Sequence, residues 1–304
     1  MMRLSLMIAA VAAAMIASPA LAQTQSPAPT AQVVPPVQPI RASKIILVGD
    51  STTAVAGGWG PSFCAQHVTS FLTCTNLARG GRSSGNYRTE GSWDIALGEM
   101  STPNYVATYV LIQFGHNDQP GKPGRSTDLA TEFPANLKRY VEETRARGAI
   151  PVLVTPLTRR QFVDGQLQND LDAWAEAVRQ VAAETNTPLV DLNASSAAAV
   201  QALGPAMSAR FAQAAPLPEV GAALLTGTTI PAAGNAPVAP APVAPNAPAA
   251  APTVQNNAAV EPMGQAKLAF DYTHLGTVGA DFFAALVTRD LVLAVPALRR
   301  ALIL

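Results

Sequence analysis

Residues 44–51, KIILVGDS, decide the fold. Lys44 precedes an unbroken aliphatic run that ends in Gly49, Asp50 and Ser51. Such a short, β-branched run is typical of a strand buried on both faces, as in a parallel sheet. We therefore predict a parallel strand over 44–48, with Ser51 in the turn just beyond its carboxyl end.

The same pattern recurs along the chain, and strands alternate with amphipathic helices. We predict strands at 44–48, 73–77, 105–114, 150–154 and 188–192, and helices at 61–72, 131–147, 170–185 and 278–293. This alternation indicates one parallel sheet with helices on both faces and right-handed crossovers. In such α/β folds the functional site lies outside the carboxyl ends of the strands.

The first 22 residues have the features of an export signal. Arg3 precedes an apolar run over 4–16, and Ala20 and Ala22, on either side of Leu21, form a small-x-small cleavage site. The alternative is a membrane anchor, but the run is shorter than the ~20 residues that span a bilayer. We expect cleavage after Ala22, a periplasmic or secreted protein, and no membrane span in the mature chain.

Two further segments lack a hydrophobic period. Residues 23–42 and 205–262 are rich in alanine and proline, a composition that favours extended conformations and offers little to bury. We therefore predict a signal peptide at 1–22, a flexible stretch at 23–42, and a catalytic domain at 43–304. An Ala/Pro-rich low-complexity insertion over 205–262 interrupts this domain.

Charge and cysteine content narrow the class of protein. Lys plus Arg and Asp plus Glu are equal at 20 each, and this neutral balance argues against a nucleic-acid partner. The 49% of hydrophobic residues is enough to build a core. Cys64 and Cys74 are a disulfide pair or two buried thiols, and an exported protein favours the disulfide.

Four polar blocks carry the chemistry. A serine hydroxyl needs a base to become a nucleophile, and the chain has three histidines. His274 follows Asp271 by three residues, so that one carboxylate can orient its imidazole toward Ser51, whereas His67 lies in a helix and His116 is expected to be structural. The blocks are 49–52 (GDST), 80–83 (GGRS), 115–118 (GHND) and 271–274 (DYTH).

An acyl-transfer site also needs donors for the oxyanion. The N–H groups of Ser51 and Gly81 and the side-chain amide of Asn117 can supply them. Each block alone also fits an ordinary turn or helix cap. Together, and in this order, they predict the catalytic triad Ser51, Asp271 and His274.

These blocks resemble the SGNH (GDSL) hydrolase superfamily, whose four signature residues match Ser51, Gly81, Asn117 and His274. The variants are most similar to the rhamnogalacturonan acetylesterase family, in GDSTTA at 49–54, GGRSSGNYRTEG at 80–91, FGHND at 114–118 and DYTHLGTVGA at 271–280. The resemblance implies a flavodoxin-like three-layer α/β/α fold. It also implies a serine esterase, with neither metal nor cofactor, that removes O-acetyl groups from pectic polysaccharide.

Basic and aromatic residues near the second block are candidate substrate contacts. Arg82 and Arg88, with Arg79, are placed to attract galacturonate carboxylates; alternatively they are surface residues or partners of Glu90 and Asp94. The tryptophans at 59 and 93 either stack on sugar rings or belong to the core.

The sequence thus predicts an exported carbohydrate O-acetylesterase that acts as a monomer on an acetylated polysaccharide or oligosaccharide. One alternative is an SGNH lipase or arylesterase with another class of ester substrate. The other is a noncatalytic protein that binds carbohydrate or the cell wall and uses the Ala/Pro segment as a tether.

Overall fold

A parallel five-stranded sheet organises the chain. The structure, a computed structural model, describes residues 41–232 and 269–304. The strands are β1 (Ser43–Gly49), β2 (Leu72–Asn76), β3 (Thr108–Gln113), β4 (Ile150–Val154) and β7 (Leu189–Val190), in the order β2-β1-β3-β4-β7. Every pairing in this sheet is parallel, and β1 pairs with both β2 and β3.

Helices cover both faces of the sheet, and a small hairpin lies outside it. The helices are α1 (Gly60–Gln66), α2 (Asn86–Thr89), α3 (Ser92–Met100), α4 (Glu132–Ala146), α5 (Asp172–Glu184), α6 (Leu192–Ser208), α7 (Pro218–Leu225) and α8 (Thr277–Ala294). The antiparallel hairpin pairs β5 (Phe162–Val163) with β6 (Gln166–Leu167). No helix in the described part is long and apolar enough to cross a membrane.

Two apolar cores, one on each face, hold the layers together. On β1, Ile45 and Leu47 face the core that includes α1 and α8, while Ile46 and Val48 face the core that includes α3, α4 and α5. This alternation follows from the two-residue period of a strand. The predicted flavodoxin-like three-layer α/β/α fold is confirmed.

The strand order places the site. The chain leaves β1 toward β2 on one side and leaves β3 toward β4 on the other, so that the connections after these two paired strands run in opposite directions. In doubly wound sheets, ligands bind at such a switch point, beyond the carboxyl ends of the strands. The blocks that contain Ser51 and Asn117 follow β1 and β3, and thus lie on the two sides of this crevice.

The prediction of a low-complexity insertion is wrong for residues 205–232. This stretch is folded: it contains the end of α6, a 3₁₀ turn at Ala209–Phe211, and α7. Phe211, Val220 and Leu224 are buried, and alanine, the commonest residue here, favours helices. The rest of the insertion over 233–262 lies outside the described residues, as do the signal peptide and the stretch 23–40.

A disulfide joins Cys64, on α1, to Cys74, on β2. The pair therefore forms the predicted bridge rather than two buried thiols. It ties the first crossover helix to the edge strand that follows it, beside the core built on α1 and α8.

Candidate active site

The turn after β1 presents Ser51 at the crevice. Asp50 is fully buried beneath it, and one carboxylate oxygen accepts hydrogen bonds from the backbone N–H and the hydroxyl of Thr52, at 2.8 and 2.7 Å. Gln113, at the end of β3, donates to the Thr52 hydroxyl over 2.6 Å. The turn that holds Ser51 is therefore fixed from below by buried polar contacts between two adjacent strands.

Ser51, His274 and Asp271 form one continuous chain of hydrogen-bonding groups. The Oγ of Ser51 lies 3.0 Å from Nε2 of His274, and Nδ1 of His274 lies 2.7 Å from Oδ2 of Asp271. Oδ1 of Asp271 accepts from the backbone N–H of Thr273 and of His274, at 2.7 and 2.6 Å. The structure thus brings together residues that are 223 positions apart, in the geometry of a nucleophile, a base and an orienting carboxylate.

Asp271 is suited to remain ionised. Burial acts to raise the pKa of its carboxyl group, but the hydrogen bonds and charge of His274, together with the Thr273 N–H, lower that pKa to about 2. An ionised Asp271 accepts the Nδ1–H of the imidazole, and this leaves Nε2 free to accept a proton.

Arg160 anchors the loop that contains the triad histidine. Its buried guanidinium donates to the carbonyls of Asp271, Thr273 and His274 at 3.0, 3.2 and 2.9 Å, and its backbone N–H donates to Tyr272 at 2.9 Å. Burial lowers the pKa of Arg160 to about 10, so it stays charged near neutral pH. Sequence patterns gave no signal for this role, because the contacts join segments more than a hundred residues apart.

A glycine lets the Ser51 turn approach the same loop. Gly57 has a φ of +96°, and its carbonyl accepts from the Leu275 N–H at 2.8 Å. A Cβ at this position would lie 3.3 Å from the Cβ and Cδ2 atoms of His274 and 2.9 Å from the Gln213 amide nitrogen. Any side chain here would therefore press on the His274 side chain.

The loops that hold two predicted oxyanion donors, Gly81 and Asn117, contact each other, and the Gly81 loop approaches Ser51. Gly81 has a φ of +75°, which a glycine adopts without strain, and the neighbouring Gly80 is close enough to Ser51 that an added Cβ would lie 3.8 Å from the serine Cβ. The Asn117 amide donates one hydrogen to the Arg82 carbonyl at 3.0 Å, and this leaves its second N–H available. In the described part of the chain, no acceptor takes the backbone N–H of Ser51 or Gly81.

His116 is buried next to the nucleophile turn, in a structural position. It is 3% exposed, and its Nδ1 lies 3.5 Å from the second carboxylate oxygen of Asp50. Burial lowers the pKa of His116 more than the attraction of Asp50 raises it. His67 lies on the far side of α1, where its Nδ1 contacts the carbonyl of Ile303 at 2.8 Å. Neither histidine reaches Ser51.

The structure contradicts the predicted substrate contacts of Arg82 and Arg88. Arg82 is 1% exposed, and its Nε pairs with Glu90 at 3.0 Å, as the alternative interpretation had it. Arg88 pairs with Glu143 at 2.7 Å and packs over Tyr140. Both guanidinium groups are paired with a carboxylate, as a buried cation requires, and Arg82 also donates to the Gly80 carbonyl at 2.6 Å.

The two candidate stacking residues belong to the core. Trp59 is fully buried and donates to Gln113 at 2.8 Å, and Trp93 is 2% exposed and donates to Glu143 at 2.5 Å. Neither ring is available to a sugar. Among the described residues, no three His, Cys, Asp or Glu side chains converge as a metal site.

Comparisons with known proteins agree with this geometry. Residues 47–215 match the GDSL-like lipase/acylhydrolase family. Two proteins of Bacillus subtilis strain 168 are each 35% identical to the chain: the probable rhamnogalacturonan acetylesterase YesY, over 50% of this chain and 70% of the relative, and the rhamnogalacturonan acetylesterase RhgT, over 55% and 72%. The crystal structure of protein YxiM from Bacillus subtilis shares the fold, with a TM-score of 0.53 and 21% identity, over 84% of this chain and 57% of YxiM.

The fold and the family match together define an ester hydrolase of the SGNH type. The chain belongs to the GDSL-like lipase/acylhydrolase family. The resemblance seen in the four sequence blocks is thereby confirmed, down to relatives named as rhamnogalacturonan acetylesterases.

Proposed function

We propose that this protein is an exported serine esterase that removes O-acetyl groups from a pectic polysaccharide through an acyl-serine intermediate. The single observation that supports the mechanism is the chain of contacts from Ser51 to Asp271. Ser51 Oγ lies 3.0 Å from Nε2 of His274, and Nδ1 of the same imidazole lies 2.7 Å from Asp271. The substrate class is supported by two relatives named as rhamnogalacturonan acetylesterases.

The reaction begins when Ser51 attacks the acetyl carbonyl and His274 accepts the hydroxyl proton. The carbonyl oxygen becomes an oxyanion, which receives hydrogen bonds from the N–H groups of Ser51 and Gly81 and from the Asn117 amide. Collapse of this intermediate breaks the bond to the sugar oxygen, which takes the proton from His274. Water, deprotonated by His274, then attacks the acetyl-serine ester and releases acetate and the free serine.

Export is supported by the leader sequence and by the disulfide. The predicted signal at 1–22 lies outside the described residues, but the Cys64–Cys74 bond is of a kind that persists in oxidising compartments. Expression of the full chain with a C-terminal tag, followed by N-terminal sequencing of the exported protein, tests this. We expect a mature chain that begins at Gln23. An uncleaved protein that stays in the cytoplasm would contradict export.

A second candidate is hydrolysis of longer acyl or aryl esters. A cavity of about 480 Å³ lies beside α6 and α7, lined mostly by alanines, Leu224 and Leu225, and it includes Gln213, which approaches Gly57 next to His274. A series of nitrophenyl esters with increasing acyl length separates the two functions. A deacetylase prefers the acetyl ester, and a preference for chains beyond about four carbons would favour the lipase.

The decisive substrate experiment measures acetate released from acetylated rhamnogalacturonan, homogalacturonan and xylan. We expect the pectic substrates to be preferred, with Ser51→Ala inactive on all of them. Acetate release from xylan alone would contradict the pectic substrate. Even then, fluorophosphonate labelling of the wild type but not of Ser51→Ala would show that the protein is an esterase rather than a noncatalytic binding protein. Size-exclusion chromatography of the same preparation tests the predicted monomer.

A further inference from the structure

The loop that follows Asn117 contains two basic side chains, Lys122 and Arg125, close to the blocks that supply the oxyanion donors. Nη1 of Arg125 lies 3.4 Å from the carbonyl oxygen of Gly81, and the Lys122 ammonium donates to the carbonyl of His116. Ser126 fixes the loop, since its hydroxyl accepts from the Lys122 N–H at 2.9 Å and donates to the Gln119 carbonyl at 2.8 Å. Both cationic groups therefore contact the backbone of a block that supplies an oxyanion donor.

These two charges lack a carboxylate partner of their own. In the described ranges, neither Lys122 nor Arg125 forms a salt bridge, and Nε of Arg125 is buried without an acceptor. Arg159 lies nearby, but Asp170 holds it in an ion pair. Burial lowers the pKa of Lys122, and repulsion from Arg159 and Arg125 adds to this, against the weaker attraction of Asp50 and Asp170.

Concentrating partly buried positive charge is unfavourable unless an anion neutralises it. The oxyanion is one such anion, but it is transient and already has three donors. A planar guanidinium matches a carboxylate, to which its two terminal nitrogens can donate parallel hydrogen bonds. On a uronic acid, the carboxylate and the acetylated hydroxyls belong to one sugar ring, so that both reach the site together.

We propose that Arg125 and Lys122 form a carboxylate-binding subsite that selects acetylated uronic acid residues over neutral acetylated sugars. This proposal rests on the proposed function and specifies which residues determine its substrate. Arg82 and Arg88, the arginines predicted to contact substrate, form ion pairs with Glu90 and Glu143. Arg125 and Lys122 have no carboxylate partner in the described part of the chain and take over the proposed role.

The test compares acetylated oligogalacturonides with free carboxylates and the same oligomers after methyl esterification, by acetate release. The wild type should prefer the free acid, and Arg125→Gln should reduce the ratio of the two kcat/KM values by about tenfold or more. Arg125→Lys, which keeps the charge but not the fork, should retain part of the preference. Arg147→Gln is the matched control, because Arg147 lies at the end of α4, near the start of β4 and away from the site.

Ionic strength supplies a second readout. The wild-type preference for the free acid should decrease as salt rises, and Arg125→Gln should show a much smaller salt effect. If Arg125→Gln lowers the rates on both oligomers equally, the arginine only supports the Gly81 backbone and the subsite is refuted, while the acetylesterase stands. If the wild type hydrolyses nitrophenyl acetate but neither these oligomers nor acetylated rhamnogalacturonan, the proposed function and this subsite both fail.

Discussion

The guanidinium of Arg160 donates a hydrogen bond to the backbone carbonyl of His274 over 2.9 Å, and the same Nη2 atom reaches the carbonyl of Asp271 at 3.0 Å. One side chain, from the segment after β4, thus holds both ends of the loop that orients the His274 imidazole. Because it bonds backbone atoms, it fixes the loop without touching Ser51.

Replacement of Arg160 should therefore slow the reaction without changing how substrate binds. We expect Arg160→Gln to lower kcat about 10–100-fold, because a small misplacement of a catalytic group has an effect of this size, with little change in KM. Arg160→Lys should recover part of the loss. Steady-state kinetics with nitrophenyl acetate, with exposed Arg289→Gln as control, measure this. Wild-type kcat in Arg160→Gln would exclude the positioning role.

The Asn117 amide should act mainly in the transition state. Asn117→Ala removes one oxyanion donor and also the hydrogen bond to the Arg82 carbonyl. We expect kcat to fall about 10²–10³-fold, with a much smaller change in KM. A loss confined to KM would mean that Asn117 binds the ground-state substrate instead.

The two histidines near the site should respond differently to substitution. His274→Ala removes the base and should lower kcat about 10³-fold or more. His116→Gln should retain far more activity and instead lower the melting temperature, because it disturbs the buried contact with Asp50. Parallel kinetics and thermal melts of both variants decide the assignment, which is wrong if His116→Gln is the inactive one.

The ionised Asp271 carboxylate should add to the free energy of unfolding at neutral pH, and this contribution should be lost in acid. Its pKa in the folded protein, about 2, is below the unfolded value of 3.8, so the ionised form is stabilised by folding. This contribution is complete above the unfolded pKa and is lost as pH falls from about 4 toward 2. Thermal melts of wild type and Asp271→Asn should differ most at pH 5–6 and converge on acidification. A difference that grows below pH 4 would contradict this.

Sequence patterns were sufficient to predict the sheet and the proximity of Ser51, His274 and Asp271. The strand at 150–154 was predicted to the residue, and those around Leu47 and Leu111 were placed correctly, because buried parallel strands are short continuous apolar runs. The geometry of Ser51 with His274 could be anticipated because few histidines compete and the blocks follow strand ends.

Several local features were not predicted from the sequence. The four-residue helix α2 is polar and too short for a hydrophobic period to mark it. The sequence does mark α3, because Trp93, Ala96 and Met100 share one buried face at helical spacing, but this helix was not predicted. The β5–β6 hairpin was missed although Asp164 and Gly165, both with positive φ, form a recognisable turn pair. For Arg82 the sequence left both a substrate contact and a pair with Glu90 open, and only the folded geometry, with Glu90 3.0 Å from Nε, decides between them.

The most direct test of the central claim is the hydrolysis of nitrophenyl acetate by the purified protein and by Ser51→Ala, with the fold of each checked by circular dichroism. We predict nitrophenolate release by the wild type, covalent labelling of Ser51 by a fluorophosphonate, and no activity above background in a folded Ser51→Ala. Full activity in the folded variant, or labelling at another residue, would contradict the account.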